Sequence, residues 1–214
     1  MRLSGLPRAK ARRTPMDELS AAELQSLEVA AERERPYAGF FDWPNRGVSE
    51  HGIALTFASA SVSEPGFPLS AIALRPRGED PPDCEARDQS GRAIAIEVTE
   101  LVDGAAIAEA RRSSTVHSAS WPDERIRAEL QLRISAKSDK KLKGGPYAEL
   151  VVLIHTDEPA VSAEVVDRAL LGHMFDIPSN VGRVYLLLSY APGAGYPYFR
   201  LRGVAEDGGA AGPA

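Results

Sequence analysis

The stretch PDCEARDQSGRAIAIEVTEL, residues 82–101, determines the fold that the sequence predicts. Its middle residues 89–91, Gln-Ser-Gly, have the composition of a hairpin turn and separate two strand-like runs. A three-residue turn with its glycine in the left-handed position fixes the register of the two strands. Counting back from the turn sets Asp83 opposite Glu97. We therefore expect two carboxylates to face each other across an antiparallel hairpin.

The two carboxylates of this hairpin suit a divalent metal ion. Alternation along the strand 92–101 places Glu97 and Thr99 on one face and the larger apolar side chains on the other. Directly opposed side chains lie about 5 Å apart at Cβ, where two like charges repel unless a cation lies between them. Mg²⁺ is commonly held by one or two carboxylates. A solvated hairpin with scattered acidic residues fits the same spacing, so spacing alone leaves both interpretations open.

Helical and strand patterns alternate on both sides of the hairpin. Apolar spacing predicts helices at 17–35, 104–112, 122–143 and 162–171. Strands are predicted at 51–62, 69–75, 83–87, 92–101, 149–155 and 182–190. The runs 149–155 and 182–190 are almost entirely apolar, which is typical of strands that are covered on both faces. This order predicts an α/β domain with a mixed central sheet flanked by helices.

Length, composition and charge bound the class of protein. The chain has 214 residues, 43% of them hydrophobic, and its formal net charge is −5, which suits a single globular domain. Residues 1–16 form a basic arm and 203–214 are poor in large apolar groups, so we expect both to be disordered around a domain at 17–202. The sequence has no apolar run of membrane-spanning length, no signal-peptide pattern and one cysteine. We therefore expect a cytoplasmic protein without a membrane partner.

Pro82-Asp83, thirteen intervening residues and then Glu97-Val98-Thr99 at the end of an apolar strand form a two-part pattern. Together with the order of elements around it, this pattern resembles the PD-(D/E)XK nuclease superfamily. The resemblance implies a restriction-endonuclease-like αβββαβ core over residues 17–156 and a metal-dependent endonuclease that hydrolyses phosphodiester bonds, with DNA as the expected substrate. It also implies that Asp83, Glu97 and the carbonyl of Val98 bind Mg²⁺ or Mn²⁺, which polarises the scissile phosphate and lowers the pKa of the attacking water.

Two positions qualify the resemblance. Thr99 stands where the family usually has a lysine that positions the water and offsets developing charge. Either another lysine takes that place, as in some members of the family, or the domain is a catalytically inactive regulatory module that binds nucleic acid or protein. Glu28, on the helix predicted at 17–35, resembles the additional helical acid of many members, although a surface salt bridge is the simpler explanation for it.

Helical geometry identifies a replacement for the absent lysine. At 100° per residue from Ile126, Leu130 lies at about 40° and Ile134 at about 80°, which defines a buried stripe. Lys137 falls at about 20°, inside that stripe. A lysine on an apolar stripe needs an anion for its ammonium, unless the side chain extends to the surface near the helix end. We therefore expect Lys137 to act as the catalytic lysine, with Lys141, at about 60°, as the second candidate.

The segment 111–143 is locally basic, with nine basic and four acidic side chains. Positive charge after an acidic strand suits a phosphate backbone, because each neutralised phosphate releases counterions. The expected nucleic-acid contacts are Arg111, Arg112, Lys140 and Lys141. Lysines at a helix end are also favoured by the helix dipole alone, and the sequence leaves base preference and homo-oligomer formation open.

Overall fold

The computed structural model describes residues 37–39, 45–64, 68–76, 78–112 and 119–204. Contacts divide the chain into two compact units, Met1–Glu34 and Arg35–Ala214, and every described residue lies in the second unit. The basic arm and the helix predicted at 17–35, with Glu28, lie outside the described residues, as does the tail from residue 205.

The described part of the chain contains four helices and six strands. In chain order they are α1 (Arg46–Ala60), β1 (Ser70–Leu74), β2 (Cys84–Arg87), β3 (Ala93–Glu100), α2 (Gly104–Arg112), α3 (Asp123–Ser138), β4 (Glu149–Thr156), α4 (Ala163–Leu170), β5 (Arg183–Leu188) and β6 (Tyr198–Leu201). None of these helices has both the length and the apolar composition needed to cross a bilayer.

The six strands form one mixed sheet in the order β1-β2-β3-β4-β5-β6. The pairs β1/β2, β2/β3 and β5/β6 are antiparallel, whereas β3/β4 and β4/β5 are parallel. Strand β4 lies in the middle of the parallel part, and seven of its eight residues are buried, as its apolar composition indicates. The predicted α/β class with a mixed central sheet is therefore confirmed.

The sheet separates two apolar clusters. The cluster on one face joins the sheet to α3 and α4, and includes Ala95, Val152, Ile126, Leu130, Ile134 and Val166. The cluster on the other face joins the sheet to α1, and includes Ile94, Ile96, Val98, Ile53 and Phe57. Because side chains alternate along β3, Glu97 shares the α3 face with Ala95. The Glu97 carboxylate therefore lies on the side of the sheet against which α3 packs.

Three elements differ from the sequence prediction. The prediction of a strand at 51–62 is wrong. Ile53, Ala54 and Phe57 have helical spacing and pack on the sheet as one face of α1. The helix predicted at 122–143 ends at Ser138, after which the chain turns to hydrogen-bond the loop before β2. Strand β6, in the aromatic segment near the C-terminus, was not predicted.

The hairpin has the predicted register. Cys84 pairs with Ile96 and Arg87 with Ala93, so the next position outward sets Asp83 opposite Glu97. The turn closes through the N–H of Gly91, which donates to the carbonyl of Asp88 at 2.9 Å. Gly91 has φ +76°, a left-handed conformation that glycine adopts without steric cost.

We predict that Gly91→Ala lowers the free energy of unfolding by about 1–2 kcal/mol, because an alanine Cβ is disfavoured in the left-handed region. Gly91→Asn should lose less, since asparagine tolerates this region. Gly104→Ala is the matched control, because Gly104 begins α2 without a positive φ and a Cβ there meets nothing within 4 Å. Urea denaturation measures all three variants. An unchanged stability of Gly91→Ala would contradict the turn that sets the register.

Candidate metal centre

Asp83 and Glu97 are both buried, with 2% and 0% of their surface exposed. Asp83 directly precedes β2, and Glu97 lies in the middle of β3. The N–H of Val98 donates to Asp83 Oδ2 at 2.7 Å, which fixes one oxygen of that carboxylate against the neighbouring strand. Val98 thus contacts the acidic pair through its backbone N–H. Two carboxylates so far from solvent need compensating positive charge.

Lys137 supplies positive charge between the two carboxylates. Its Nζ donates to Asp83 Oδ2 at 2.9 Å and to Glu97 Oε2 at 2.7 Å, and only 6% of the residue is exposed. It follows Ile126, Leu130 and Ile134 on the buried side of α3. Burial alone would lower the pKa of Lys137, but the negative charges of Asp83 and Glu97 outweigh it and raise the pKa. Lys137 is therefore an ammonium at neutral pH.

Lys140 is a second lysine at the site. Its Nζ donates to Glu97 Oε2 at 3.0 Å, and about a third of its side chain is exposed. The contact is possible because α3 ends at Ser138 and the chain beyond it turns toward the loop before β2. Lys141, the second candidate from the sequence, is exposed, and within the described residues no hydrogen bond or salt bridge links it to either carboxylate.

Asp80 is a third acidic residue at the site, and the sequence pattern does not indicate it. One ligand oxygen from each of Asp80, Asp83 and Glu97 can be chosen so that all three lie within 4.8 Å of one another. Asp80 lies on the loop between β1 and β2, and Lys143 Nζ donates to its carbonyl at 2.5 Å. In the sequence, Asp80 is visible only as an acidic residue three positions before Asp83 in a proline-rich loop. Where its side chain lies depends on how that loop packs.

The three carboxylates each have a buried oxygen without a hydrogen-bond partner among the described residues: Asp80 Oδ1, Asp83 Oδ1 and Glu97 Oε1. Buried acceptors are rarely left unpaired, because each costs about 1–3 kcal/mol. Lys137 and Lys140 engage only the other oxygens, Asp83 Oδ2 and Glu97 Oε2. Carboxylate oxygens are the ligands that Mg²⁺ and Mn²⁺ prefer. The residues present therefore fit a divalent ion beside the lysine.

A cleft of about 540 Å³ adjoins the acidic residues and is lined in part by Arg46 and Glu50 of α1 and by Asp80 and Asp83. Arg46 Nε donates to Glu50 Oε1 at 2.6 Å. Burial raises the pKa of Glu50, and the negative charge of Asp83 raises it further. A helical acid thus faces the site, but it is Glu50, whereas Glu28 lies outside the described residues.

The remaining predicted site residues make no hydrogen bond or salt bridge to Asp83 or Glu97 within the described part of the chain. Thr99 is partly buried, two residues beyond Glu97 on the same face of β3. Arg111 and Arg112 are exposed at the end of α2, where Arg112 pairs with Glu109 at 3.6 Å. Within the described residues, no salt bridge or hydrogen bond joins these arginines to Asp83 or Glu97.

Comparisons with known proteins give no second source of information about this site. No family model, curated protein or solved structure matches the chain. The chemistry of the site therefore rests on the buried carboxylates, their unpaired oxygens and the two lysines. Together these groups can hold a divalent cation and present an ammonium next to it.

We predict that Lys137→Met lowers the free energy of unfolding of the metal-free protein by about 3–5 kcal/mol, the usual effect of removing one partner from a buried ion pair. Mn²⁺ at about 100 times its Kd should stabilise the parent by about 2.7 kcal/mol. It should stabilise Lys137→Met more, because the cation replaces the missing ammonium. Chemical denaturation with and without Mn²⁺ measures both effects.

Lys141→Met is the control for this experiment, since it removes an exposed lysine nearby and should change neither stability nor the response to Mn²⁺. Equal stability of the two variants would contradict the buried ion pairs. An absence of Mn²⁺ stabilisation in the parent and in both variants would contradict the metal site.

Proposed function

We propose that this domain is a Mg²⁺- or Mn²⁺-dependent nuclease that hydrolyses phosphodiester bonds in nucleic acid, with DNA as its expected substrate. The observation that supports it best is the position of Lys137, whose ammonium contacts both Asp83 and Glu97 although Thr99 occupies the usual lysine position. A lysine beside paired carboxylates is the combination that the resemblance of the sequence implies for catalysis.

The order of elements also supports a restriction-endonuclease-like core. Helix α1 is followed by the antiparallel strands β1, β2 and β3, then by helices and the parallel strand β4. This is an αβββαβ order in which α1, rather than the helix predicted at 17–35, provides the first helix. In this arrangement Glu50 of α1 corresponds to the additional helical acid.

Asp80, Asp83 and Glu97 would hold the metal ion, and the carbonyl of Val98 is a further candidate ligand. When bound, the ion would polarise the scissile phosphate and lower the pKa of a nearby water. Two of these carboxylates also position Lys137, and this role does not depend on the ion. Their oxygens Asp83 Oδ2 and Glu97 Oε2 hold the Lys137 ammonium in place, so that a donor is already oriented before substrate arrives.

The two lysines have different roles in the proposed reaction. Lys137 keeps its proton because its pKa is raised, so it acts as a positive hydrogen-bond donor that orients the attacking water and offsets charge on the phosphate. Lys140 has 35% of its side chain exposed, against 8% for Lys137, and is therefore better placed to meet an incoming phosphate. Lys141, Arg111 and Arg112 are exposed cations that would bind the backbone further away.

One observation favours the catalytically inactive alternative. The Lys137 ammonium already neutralises part of the charge of Asp83 and Glu97 without any metal ion. An ion pair of this kind can be purely structural, joining α3 to the hairpin in a module that binds nucleic acid or protein. The unpaired oxygens of three buried carboxylates favour the metal-dependent enzyme instead, because a purely structural ion pair would leave them without a role.

We predict that the parent cleaves DNA in Mg²⁺ or Mn²⁺ and not in EDTA, and that Lys137→Met reduces the rate at least about 100-fold, as expected when a transition-state charge donor is removed. Lys141→Met, which would weaken only the binding of the backbone, should cleave at nearly the parental rate when DNA is saturating. Circular and linear DNA and RNA are assayed side by side, with circular dichroism and Mn²⁺ titration to verify that each variant folds and binds metal. Parental cleavage by Lys137→Met would contradict the proposed lysine, and a parent inactive on every substrate would favour the non-catalytic module.

We also predict that replacing Arg111 and Arg112 together by glutamine weakens DNA binding in EDTA and flattens its salt dependence. The slope of log K against log salt should fall by about 2 if each arginine neutralises one phosphate. Arg168→Gln is the control, since Arg168 is an exposed arginine that pairs with Asp123 on another helix. An unchanged slope for the double variant would show that the end of α2 does not contact DNA.

A further inference from the structure

The cleft beside the acidic cluster has two differently charged sides. Asn45, Arg46 and Gly47 line it from the start of α1, and Arg75 lines it from the end of β1. Asp80 and Asp83 line the same cleft and belong to the candidate metal centre. The cleft is therefore continuous with that centre, and its volume of about 540 Å³ lies in the range of sites for small ligands.

Groups at the start of α1 suit an anion. Helix α1 has fifteen residues and no acidic residue in its first turn, and the Asn45 side chain accepts a hydrogen bond from the N–H of Gly47 at 3.0 Å. Arg46 has 71% of its side chain exposed and uses its Nε to contact Glu50. Arg46 lines the same cleft as Asp80 and Asp83, and the negative charges of these two residues, after the larger effect of Glu50, raise the pKa of Arg46.

The acidic side of the cleft needs a cation before the cleft can bind an anion. Asp83 is 2% exposed, and its Oδ1 has no hydrogen-bond partner among the described residues. Among the described residues, three carboxylates, Glu50, Asp80 and Asp83, and two guanidiniums, Arg46 and Arg75, line the cleft. Even with the Lys137 ammonium on Asp83, these groups give an anion no excess of positive charge, whereas a divalent ion on the carboxylates would make the cleft positive.

We propose that this cleft binds the substrate phosphate that neighbours the scissile one, with Arg46 and the start of α1 on one side and the metal centre on the other. The inference rests on the proposed function, because the metal ion must be present for the phosphate to bind. It adds a positioning residue, Arg46, that the sequence pattern does not indicate. Two phosphates of one strand are then held together, one at the ion and one at Arg46, which fixes the direction of the strand through the site.

Two nucleotides that differ by a single phosphate test the proposal. Thymidine 3′,5′-bisphosphate and thymidine 5′-monophosphate are titrated into the Mn²⁺-loaded protein and into the protein in EDTA. We expect the bisphosphate to bind about tenfold more tightly than the monophosphate in Mn²⁺, as for one additional charge-assisted contact, and neither to bind measurably in EDTA. In Arg46→Gln the affinity ratio of the two nucleotides should fall to about one, while the affinity for the monophosphate stays the same.

Arg168→Gln is the matched control and should keep the parental ratio. A parental ratio in Arg46→Gln, or equal binding of the two nucleotides by the parent, would overturn the inference and leave the metal centre intact. Tight binding of the bisphosphate in EDTA would also overturn it, because the cleft would then bind phosphate without the ion. A protein that takes up no Mn²⁺ at all would overturn the proposed function itself, so the two failures are distinguishable.

Discussion

The contact on which the rest of the site depends is the one between the Lys137 ammonium and the carboxylates of Asp83 and Glu97. It joins the hairpin to the end of α3 where the two buried carboxylates would otherwise repel each other. Ile126, Leu130 and Ile134, all fully buried, hold the helix against the sheet so that the ammonium arrives between the acids. Apolar packing thus positions the charge, and the charge in turn permits two carboxylates to be buried.

Lys137 does not complete the site. It binds one oxygen of each carboxylate and leaves Asp83 Oδ1 and Glu97 Oε1 unpaired, next to a third unpaired oxygen on Asp80. If the ion pair were only a structural device, the remaining oxygens would be expected to find donors, because buried acceptors without partners are unfavourable. A divalent ion at the unpaired oxygens would therefore not compete with Lys137 for the same oxygens.

The parts of this arrangement that follow from local rules could be predicted from the sequence. The turn at 89–91 fixes the register through Gly91, and the 3.6-residue period places Lys137 in line with the apolar residues of α3. The parts that depend on tertiary packing could not. Lys140 contacts Glu97 because α3 ends early, and Asp80 reaches the cluster through a loop that hydrogen-bonds the segment after α3. Helix α1 was missed since a short apolar run gives no clear choice between helix and strand.

The location of the lysine has a structural consequence. A lysine at position 99 would lie on the same strand as Glu97, so its distance from that carboxylate would be fixed by the strand itself. Lys137 belongs to α3, and its distance from Glu97 depends on how the helix packs against the sheet. A shift of α3 would move the ammonium while the carboxylates stay on the hairpin, because Asp83 is held to β3 by the N–H of Val98. The packing of one helix therefore controls the electrostatics of the site, and the contact of Lys140 with Glu97 provides a second link that holds the helix end in place.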